Sequence, residues 1–252
     1  MTARAHAIIL AAGLGSRLRP LTDTTPKPLV EVAGHPLIAY GLGLLRAHGL
    51  DDVVINVHHL ADRVQSALGD GSRYGVRIRY SVEEELLDSG GGIRQAATVF
   101  EAPIDRPLVV LNSDVISEVP LPDVLAFHEA RDALATFVLR DDPLKDQYGV
   151  FGLDDAGRIR RFLGRGAPRG LPEYMFASVQ ILSPRLLEQM PDGAFSSMHD
   201  LYPRLFEAGA RLCGYRYDGR WHTADTVDDL AAAERALVRD GVPSYMEALA
   251  RP

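Results

Sequence analysis

A glycine-rich turn followed closely by an arginine and a lysine is the first place in this chain where chemistry is legible. Residues Leu10 to Thr22 read Leu-Ala-Ala-Gly-Leu-Gly-Ser-Arg-Leu-Arg-Pro-Leu-Thr. Gly13 and Gly15 let the backbone come close to a phosphate and turn its N–H groups inward. Arg17 adds a planar fork that can hold phosphate oxygens in pairs. The turn lacks the Lys-Ser/Thr of a Walker loop and the third glycine of a dinucleotide fingerprint. Beyond it, Thr25-Pro-Lys-Pro-Leu29 sets Lys27 between two prolines. That arrangement predicts an extended segment holding a point charge in one place. Each feature alone reads as an ordinary turn or a solvated side chain, but together they point to a polyphosphate.

Two further clusters carry potential chemistry. Asp88-Ser-Gly-Gly-Gly-Ile93 opens a helix with three glycines, which again permits close backbone contact with a base, ribose or sugar. Leu111-Asn-Ser-Asp-Val115 places Asp114 just past an apolar run, where a carboxylate suits a hard divalent ion such as Mg²⁺. The bland reading of Asp114 is a turn or cap residue. No second carboxylate lies close in sequence, so a partner must come from elsewhere.

The elements that must position these clusters follow from periodicity. His6–Leu10, Val53–Val57 and Leu108–Leu111 are short apolar runs of the kind that form strands buried on both faces. Val76–Tyr80 alternates as a strand with one wet face. Helical patterns over Pro36–His48, Leu60–Leu68 and Gly92–Phe100 separate them. The alternation predicts an α/β fold: a Rossmann-like, doubly wound, mostly parallel but mixed sheet with helices on both faces. Ligands of such sheets sit beyond the carboxyl ends of the strands, where three of the clusters fall.

From Ala133 the pattern changes. Ala133–Leu139, Val150–Leu153, Ile159–Phe162 and Tyr174–Leu182 read as strands with little helix between them, and Gly164–Gly170 as a basic, flexible loop. Helices are expected at Pro184–Met190 and His199–Ala208, a strand at Arg211–Tyr217, and a strong helix over Thr226–Val238 with Thr226 as its N-cap. We read residues 1–252 as a single domain, with 1–132 as its nucleotide-binding part and 133–252 as the part for the sugar and second metal ligand.

Composition narrows the classes. The chain has 252 residues, 46% of them hydrophobic, and a formal charge of −7, which argues against a general nucleic-acid binder. Its single cysteine, Cys213, cannot form an intrachain disulfide and has no metal-ligand companions, so a buried, inert thiol is expected. No run approaches the ~20 apolar residues of a membrane span. No signal peptide is visible before His6–Leu10. A cytoplasmic protein, with no membrane partner and a monomeric or small homo-oligomeric state, is the expectation.

Residues 8–37, IILAAGLGSRLRPLTDTTPKPLVEVAGHPL, resemble the signature of the sugar-phosphate nucleotidyltransferases that make nucleotide-activated sugars. The resemblance continues through Asp70-Gly-Ser-Arg-Tyr-Gly75, the Asp88–Ile93 glycines and Asn112–Asp114, and weakens after Ala133. Within the family the chain looks most like the N-acetylmuramate-1-phosphate uridylyltransferases, with the heptose- and mannose-1-phosphate guanylyltransferases close by. The resemblance implies in-line attack of a sugar 1-phosphate on the α-phosphorus of a nucleoside triphosphate, with pyrophosphate leaving and Mg²⁺ as cofactor. It implies Arg17 on the leaving pyrophosphate and Lys27 on the α-phosphate as the catalytic pair. It places Leu10, Ala11, Ala12, Gly13, Gly15, Ser16, Glu83, Gly90, Gly91 and Asn112 around the nucleotide. Asp114, Arg165 and Ser178 fall at the sugar phosphate, and Asp114 also at the metal. Glu83 could accept one proton from uracil or two from guanine, so the base stays open, with UTP slightly favoured and GTP the alternative.

The pattern breaks near the C-terminus. The family's Trp-x-Asp-Ile/Val-Gly-Thr is Trp221-His-Thr-Ala-Asp-Thr226 here, with Thr223 at the second metal aspartate. Strand side chains repeat every two residues, so Thr223 and Asp225 share a face and Asp225 could supply the carboxylate. Equally, Asp225 could cap the following helix. His222 should point away and be structural. Ser178 stands at the family's usual glycine, and Gly164-Arg165-Gly166 replaces its Glu-Lys-Pro, which argues for an unusual acceptor. A protein that binds nucleotide for regulation, having lost catalysis, is the reading from another class. A cytidylyltransferase acting on phosphocholine would need an aromatic cage that the sequence does not offer.

Overall fold

A computed structural model of the chain describes residues 5–166 and 170–247. In its first half, β1 (His6–Leu10), β2 (Asp52–Val57), β3 (Arg77–Val82) and β4 (Leu108–Asn112) lie parallel in the order β4-β1-β2-β3. Each is a short, largely aliphatic run, and the pleat divides its side chains between two cores. Ala7, Ile9, Val53, Ile55, Val109 and Leu111 face one side, whereas Ile8, Val54, Leu108 and Val110 face the other. Full burial stabilises each such aliphatic side chain by roughly 1.5–3 kcal/mol. Helices α1 (Leu37–Ala47) and α2 (Ala61–Leu68) cover the first side and α3 (Asp88–Ala97) the second.

After the short strand β5 (Val115–Ser117) and helix α4 (Leu121–Ala130), the sheet becomes mixed. Its strands are β6 (Ala135–Arg140), β7 (Phe151–Leu153), β8 (Ile159–Phe162), β9 (Glu173–Leu182) and β10 (Leu212–Arg216). β9 runs antiparallel to β4 and so joins the two halves in one sheet. It also pairs antiparallel with β6, whose other edge takes β10 in parallel, and its first residues pair with β7. An aromatic cluster of Phe137, Phe151, Phe162 and Tyr202 packs edge-to-face beneath this region. Tyr202 begins the short helix α5 (Tyr202–Glu207). The architecture is the doubly wound, mixed sheet with flanking helices expected from the periodicity.

Four local expectations differ. Helix α3 starts at Asp88 rather than Gly92, so its glycines form the first turn instead of preceding it. The segment expected as a loop from Gly164 is a hairpin where described: Phe162 pairs with Arg165 and Arg161 with Gly166, around Leu163 and Gly164 at φ 46° and 87°. Two consecutive left-handed residues are what a tight hairpin turn requires. Residues 167–169 of that expected loop lie outside the described residues. The chain is extended at Pro26 but enters a 3₁₀ turn over Lys27–Leu29, so Lys27 heads a turn rather than an extended run. Finally, a π-helical turn over Ser197–Leu201 leads into α5.

A separate two-stranded ribbon matters most for the site. β11 (Trp221–Thr223) pairs antiparallel with β5, Thr223 lying opposite Val115. The Ala224 N–H then donates to the Asp114 carbonyl at 3.0 Å. Helix α6 (Val227–Asp240) follows at once. Its N-cap is Thr226, whose Oγ1 accepts from the Asp229 N–H at 3.1 Å while Asp229 Oδ2 accepts from the Thr226 N–H at 3.0 Å. This reciprocal cap satisfies two orphan donors and fixes the path of residue 225.

Candidate active site

The carboxyl ends of the parallel strands come level with one another. Leu10 lies opposite both Asn56 and Asn112 in the register, so three chain segments leave the sheet at one place. A cleft of about 470 Å³ opens there. Leu10, Ala11, Ala12, Gly13, Gly15, Ser16 and Arg17 form one wall, Asn112 and Asp114 the floor, and Lys27 and Asp225 the far side. The glycine loop is held from below. Gly15 adopts φ 63°, and a Cβ there would press on Thr22 and Lys27 at 2.9 and 3.1 Å. Thr22 Oγ1 donates to the Gly15 carbonyl at 2.8 Å, and Leu18 is fully buried as an anchor. The loop is therefore built around the lysine stem.

Lys27 Nζ donates to Asp114 Oδ2 at 2.5 Å and to Asp225 Oδ1 at 2.6 Å, partners 87 and 198 residues away in sequence. All three side chains are largely buried, at 12%, 20% and 13% exposure. Arg17 Nη1 meets the other oxygen of Asp225 at 3.1 Å from a more exposed position. Burial works against charge on Lys27, but the carboxylates of Asp114 and Asp225 outweigh it and raise its pKa above the ordinary lysine value. Burial likewise opposes ionisation of Asp225, yet Lys27 and then Arg17 hold its carboxyl below the usual carboxylate range. Asp225 does not cap α6, since Thr226 and Asp229 do so; its side chain turns into the cleft. The β5–β11 ribbon brings the two carboxylates together.

That pair suits a hard divalent ion. Two carboxylates already converge on one cationic atom, and all their donors are oxygens. Among the described residues no group of three or more His, Cys, Asp or Glu side chains converges on one point. Two carboxylates completed by substrate phosphates is a common way of holding Mg²⁺.

A smaller pocket of about 180 Å³ adjoins the cleft and shares Asn112, Asp114 and Asp225 with it. Met175, Phe176, Ser178, Trp221 and Thr223 supply the rest of its lining, and none of these described lining residues is basic. Trp221 is fixed by its Nε1–H, which donates to the Ala177 carbonyl at 3.1 Å. Ser178 sits at φ 62° where the register of β9 against β6 slips, a left-handed bulge that aims it into this pocket. The glycine usual in the family's pattern is thus a backbone requirement, which serine meets here under strain.

Several expected site residues fall elsewhere. Glu83 is 3% exposed and both its oxygens are engaged: Oε1 accepts from Asn56 Nδ2 at 2.6 Å and Oε2 from the Leu87 N–H at 2.9 Å. It does not line the cleft but holds Asn56, whose Oδ1 accepts from the Ala11 N–H at 2.7 Å. Gly90 and Gly91 are also behind the wall. Both N–H groups point to the Phe195 carbonyl, at 2.9 and 3.3 Å, and a Cβ on Gly90 would overlap the Phe195 ring at 2.1 Å. This close packing against the 193–195 segment by itself requires glycine at both positions. Arg165 lies on the edge hairpin, exposed and paired with Glu207, away from both pockets. His222 is absent from either lining, as its place on β11 requires.

The residues that line the cleft beyond those expected are Leu14, Pro28, Asn56, Leu86, Asp88, Ser89 and Ser113. Asn56 carried a signal in the sequence: it is the one polar residue in the otherwise aliphatic run Val53–Val57. Asp88 and Ser89 belong to the Asp88–Ile93 cluster, which drew attention for its glycines, whereas Leu86 carried no signal, since a loop leucine is unremarkable.

The profile of the family described as nucleotidyl transferase matches residues 6–239. The chain belongs to this family. It is 33% identical over 245 residues to a UTP–glucose-1-phosphate uridylyltransferase of Synechocystis, covering 92% of this chain and 63% of that one. It is 35% identical over 234 residues to the N-acetylmuramate alpha-1-phosphate uridylyltransferase of Neisseria meningitidis, covering 90% and 96%. It is 35% identical over 217 residues to a mannose-1-phosphate guanyltransferase of Pichia angusta, covering 85% and 59%. The chain thus spans about three fifths of the first and third of these relatives and nearly all of the second. Among solved structures, HddC from Yersinia pseudotuberculosis complexed with GMP-PN shares the fold, with TM-score 0.76, 20% identity and coverage of 92% and 99%. Relatives of this nucleotidyl transferase therefore include both uridylyl- and guanylyltransferases of sugar 1-phosphates.

Proposed function

We propose that the chain transfers a nucleoside monophosphate from a nucleoside triphosphate to a sugar 1-phosphate, releasing pyrophosphate, with Mg²⁺ as cofactor. The observation that carries this reading is the Lys27–Asp114–Asp225 constellation at the rim of a glycine–arginine loop, with a second pocket sharing its carboxylate floor. A phosphoryl-type transfer needs little covalent help from a protein; it needs reactants held in line and charge neutralised. The loop from Leu10 to Ser16 would seat the triphosphate. Arg17 would hold its pyrophosphate end, so that the bond from α-phosphorus to the bridging oxygen breaks with the departing charge already met. Lys27 would meet the growing charge on the α-phosphate oxygens. Asp114 and Asp225 would hold Mg²⁺, which supplies further charge neutralisation on phosphate oxygens when bound. The acceptor would lie against Phe176 and Trp221, its ring near the hydroxyls of Ser178 and Thr223.

UTP is favoured over GTP. That preference follows the resemblance to the uridylyltransferases and not Glu83, both of whose oxygens are committed to Asn56 and Leu87 and so read neither uracil nor guanine. Thermal-shift measurements with UTP, GTP, CTP, ATP and dTTP plus Mg²⁺ test the base, since ligand at a hundred times its Kd adds roughly 2.7 kcal/mol of stability. Pyrophosphate release with glucose, mannose and N-acetylmuramate 1-phosphates then tests the acceptor. Stabilisation by a triphosphate with no release from any pair would favour the regulatory, catalytically impaired reading instead.

A further inference from the structure

We propose that Lys27 is a tethered placeholder for the divalent cation: its ammonium holds the Asp114–Asp225 pair in the nucleotide-free protein and surrenders it when a triphosphate draws the ammonium away. This rests on the proposed nucleotidyl transfer, which it deepens by setting the order in which nucleotide and metal enter.

The charge balance carries the inference. Asp114 and Asp225 bring two negative charges to one largely buried point, and Lys27 and Arg17 bring two positive charges within 3.1 Å of them. The resting group of four is neutral. A divalent ion added to it leaves a surplus of two positive charges in a poorly solvated place, which opposes binding. A triphosphate reverses this: it brings several negative charges to the loop beside the lysine, enough for both the ammonium and the metal. The geometry allows the exchange. The Lys27 stem starts against Gly15, where a Cβ would lie 3.1 Å from Lys27 Cβ, so the ammonium's tether is rooted in the phosphate loop itself. A lysine is a compact charge on a flexible stem, able to move between two anionic partners without moving backbone. Removing the ammonium would leave Asp114 and Asp225 repelling each other and open to any divalent ion.

The first test uses no nucleotide. Mn²⁺ is titrated into the nucleotide-free protein and free Mn²⁺ is followed by electron paramagnetic resonance. The proteins compared are wild type, Lys27→Met, Lys27→Arg and Lys27→Met/Asp114→Asn. We expect Lys27→Met to bind Mn²⁺ about tenfold or more tightly than wild type. Lys27→Arg should stay as weak as wild type, and the double variant should lose the gain. Equal or weaker binding by Lys27→Met, or a gain that survives Asp114→Asn, overturns the proposal. Should Lys27→Met fail to fold, the Lys27 side-chain NMR signal in wild type decides. It should ignore Mg²⁺ alone and shift on adding a non-hydrolysable triphosphate analogue; a shift with Mg²⁺ alone overturns the proposal. Neither readout involves turnover. Tightened Mn²⁺ binding with no pyrophosphate release from any substrate pair leaves the placeholder standing and removes the transferase reading.

Discussion

Asp225 and Glu83 show how one side chain's surroundings decide its work. Asp225 reaches Lys27 at 2.6 Å and Arg17 at 3.1 Å from a position two residues past the one the family pattern assigns to an aspartate. Asp225→Asn is expected to lower kcat about 100-fold at saturating Mg²⁺, the scale of losing one charge-handling group in a transfer site. Because Thr223 lines the same pocket, adding Thr223→Asp to that variant should restore part of the loss. Steady-state pyrophosphate release measures both, and no rescue at all would mean that the carboxylate's position cannot shift along the strand. Glu83 is the opposite case. Glu83→Ala leaves Asn56 Nδ2 and the Leu87 N–H without their acceptors in a buried place, at about 1–3 kcal/mol each. The expected result is a lower Tm and a higher KM for every triphosphate alike. An altered preference among bases would contradict the supporting role given to this residue.

Elements explain which parts of this site could be read from the sequence. The glycine loop, Lys27 and Asp114 were legible because each follows a strand or turn whose local pattern is strong, and sheet topology sends those ends to one edge. The partnership of Asp114 with Asp225 was half legible: that Asp225 could turn to the same side as Thr223 could be inferred, but not that β11 stops at Thr223, nor the ribbon with β5 that delivers Asp225. The glycines of α3 misled because glycine has two uses, approach to a ligand and approach to protein, and only the position of Phe195, set by a distant turn, distinguishes them. Arg165 misled for a related reason: turn chemistry at Leu163 and Gly164 folds it back onto the sheet edge. Two substitutions test these accounts. Gly90→Ala forces a methyl into the Phe195 ring and should cost about 1–3 kcal/mol of stability by urea denaturation. Ser178→Gly relieves a left-handed backbone at the bulge of β9 and should stabilise by about 0.5 kcal/mol, the strain removed being partly offset by glycine's greater freedom when unfolded. A destabilised Ser178→Gly would mean that the hydroxyl contributes more than the backbone strain costs.

At the scale of the whole molecule, the acid response follows from where the histidines sit. Burial is the largest influence on His6, His48, His128 and His222 and lowers the pKa of each below the ordinary histidine value. The effect is strongest at His128, held down to about 4 between α4 and β6, where it is 3% exposed and its Nδ1 lies 2.9 Å from Thr136 Oγ1. Between that value and about 6.5 the unfolded chain binds a proton at this residue and the folded chain does not. Stability therefore rises with pH across this interval and is lost as pH falls through it. His128 lines neither the cleft nor the pocket beside it, so the loss should appear as global unfolding rather than as a defect of the site. Urea denaturation of the metal-free protein at intervals from pH 7 to pH 4.5 should show a falling midpoint. His128→Gln can keep a hydrogen bond to Thr136 but cannot take up the proton, so its curve should start lower than wild type at pH 7 and fall less steeply. Parallel curves for the two proteins would show that the acid sensitivity of this nucleotidyl transferase resides in its other buried groups.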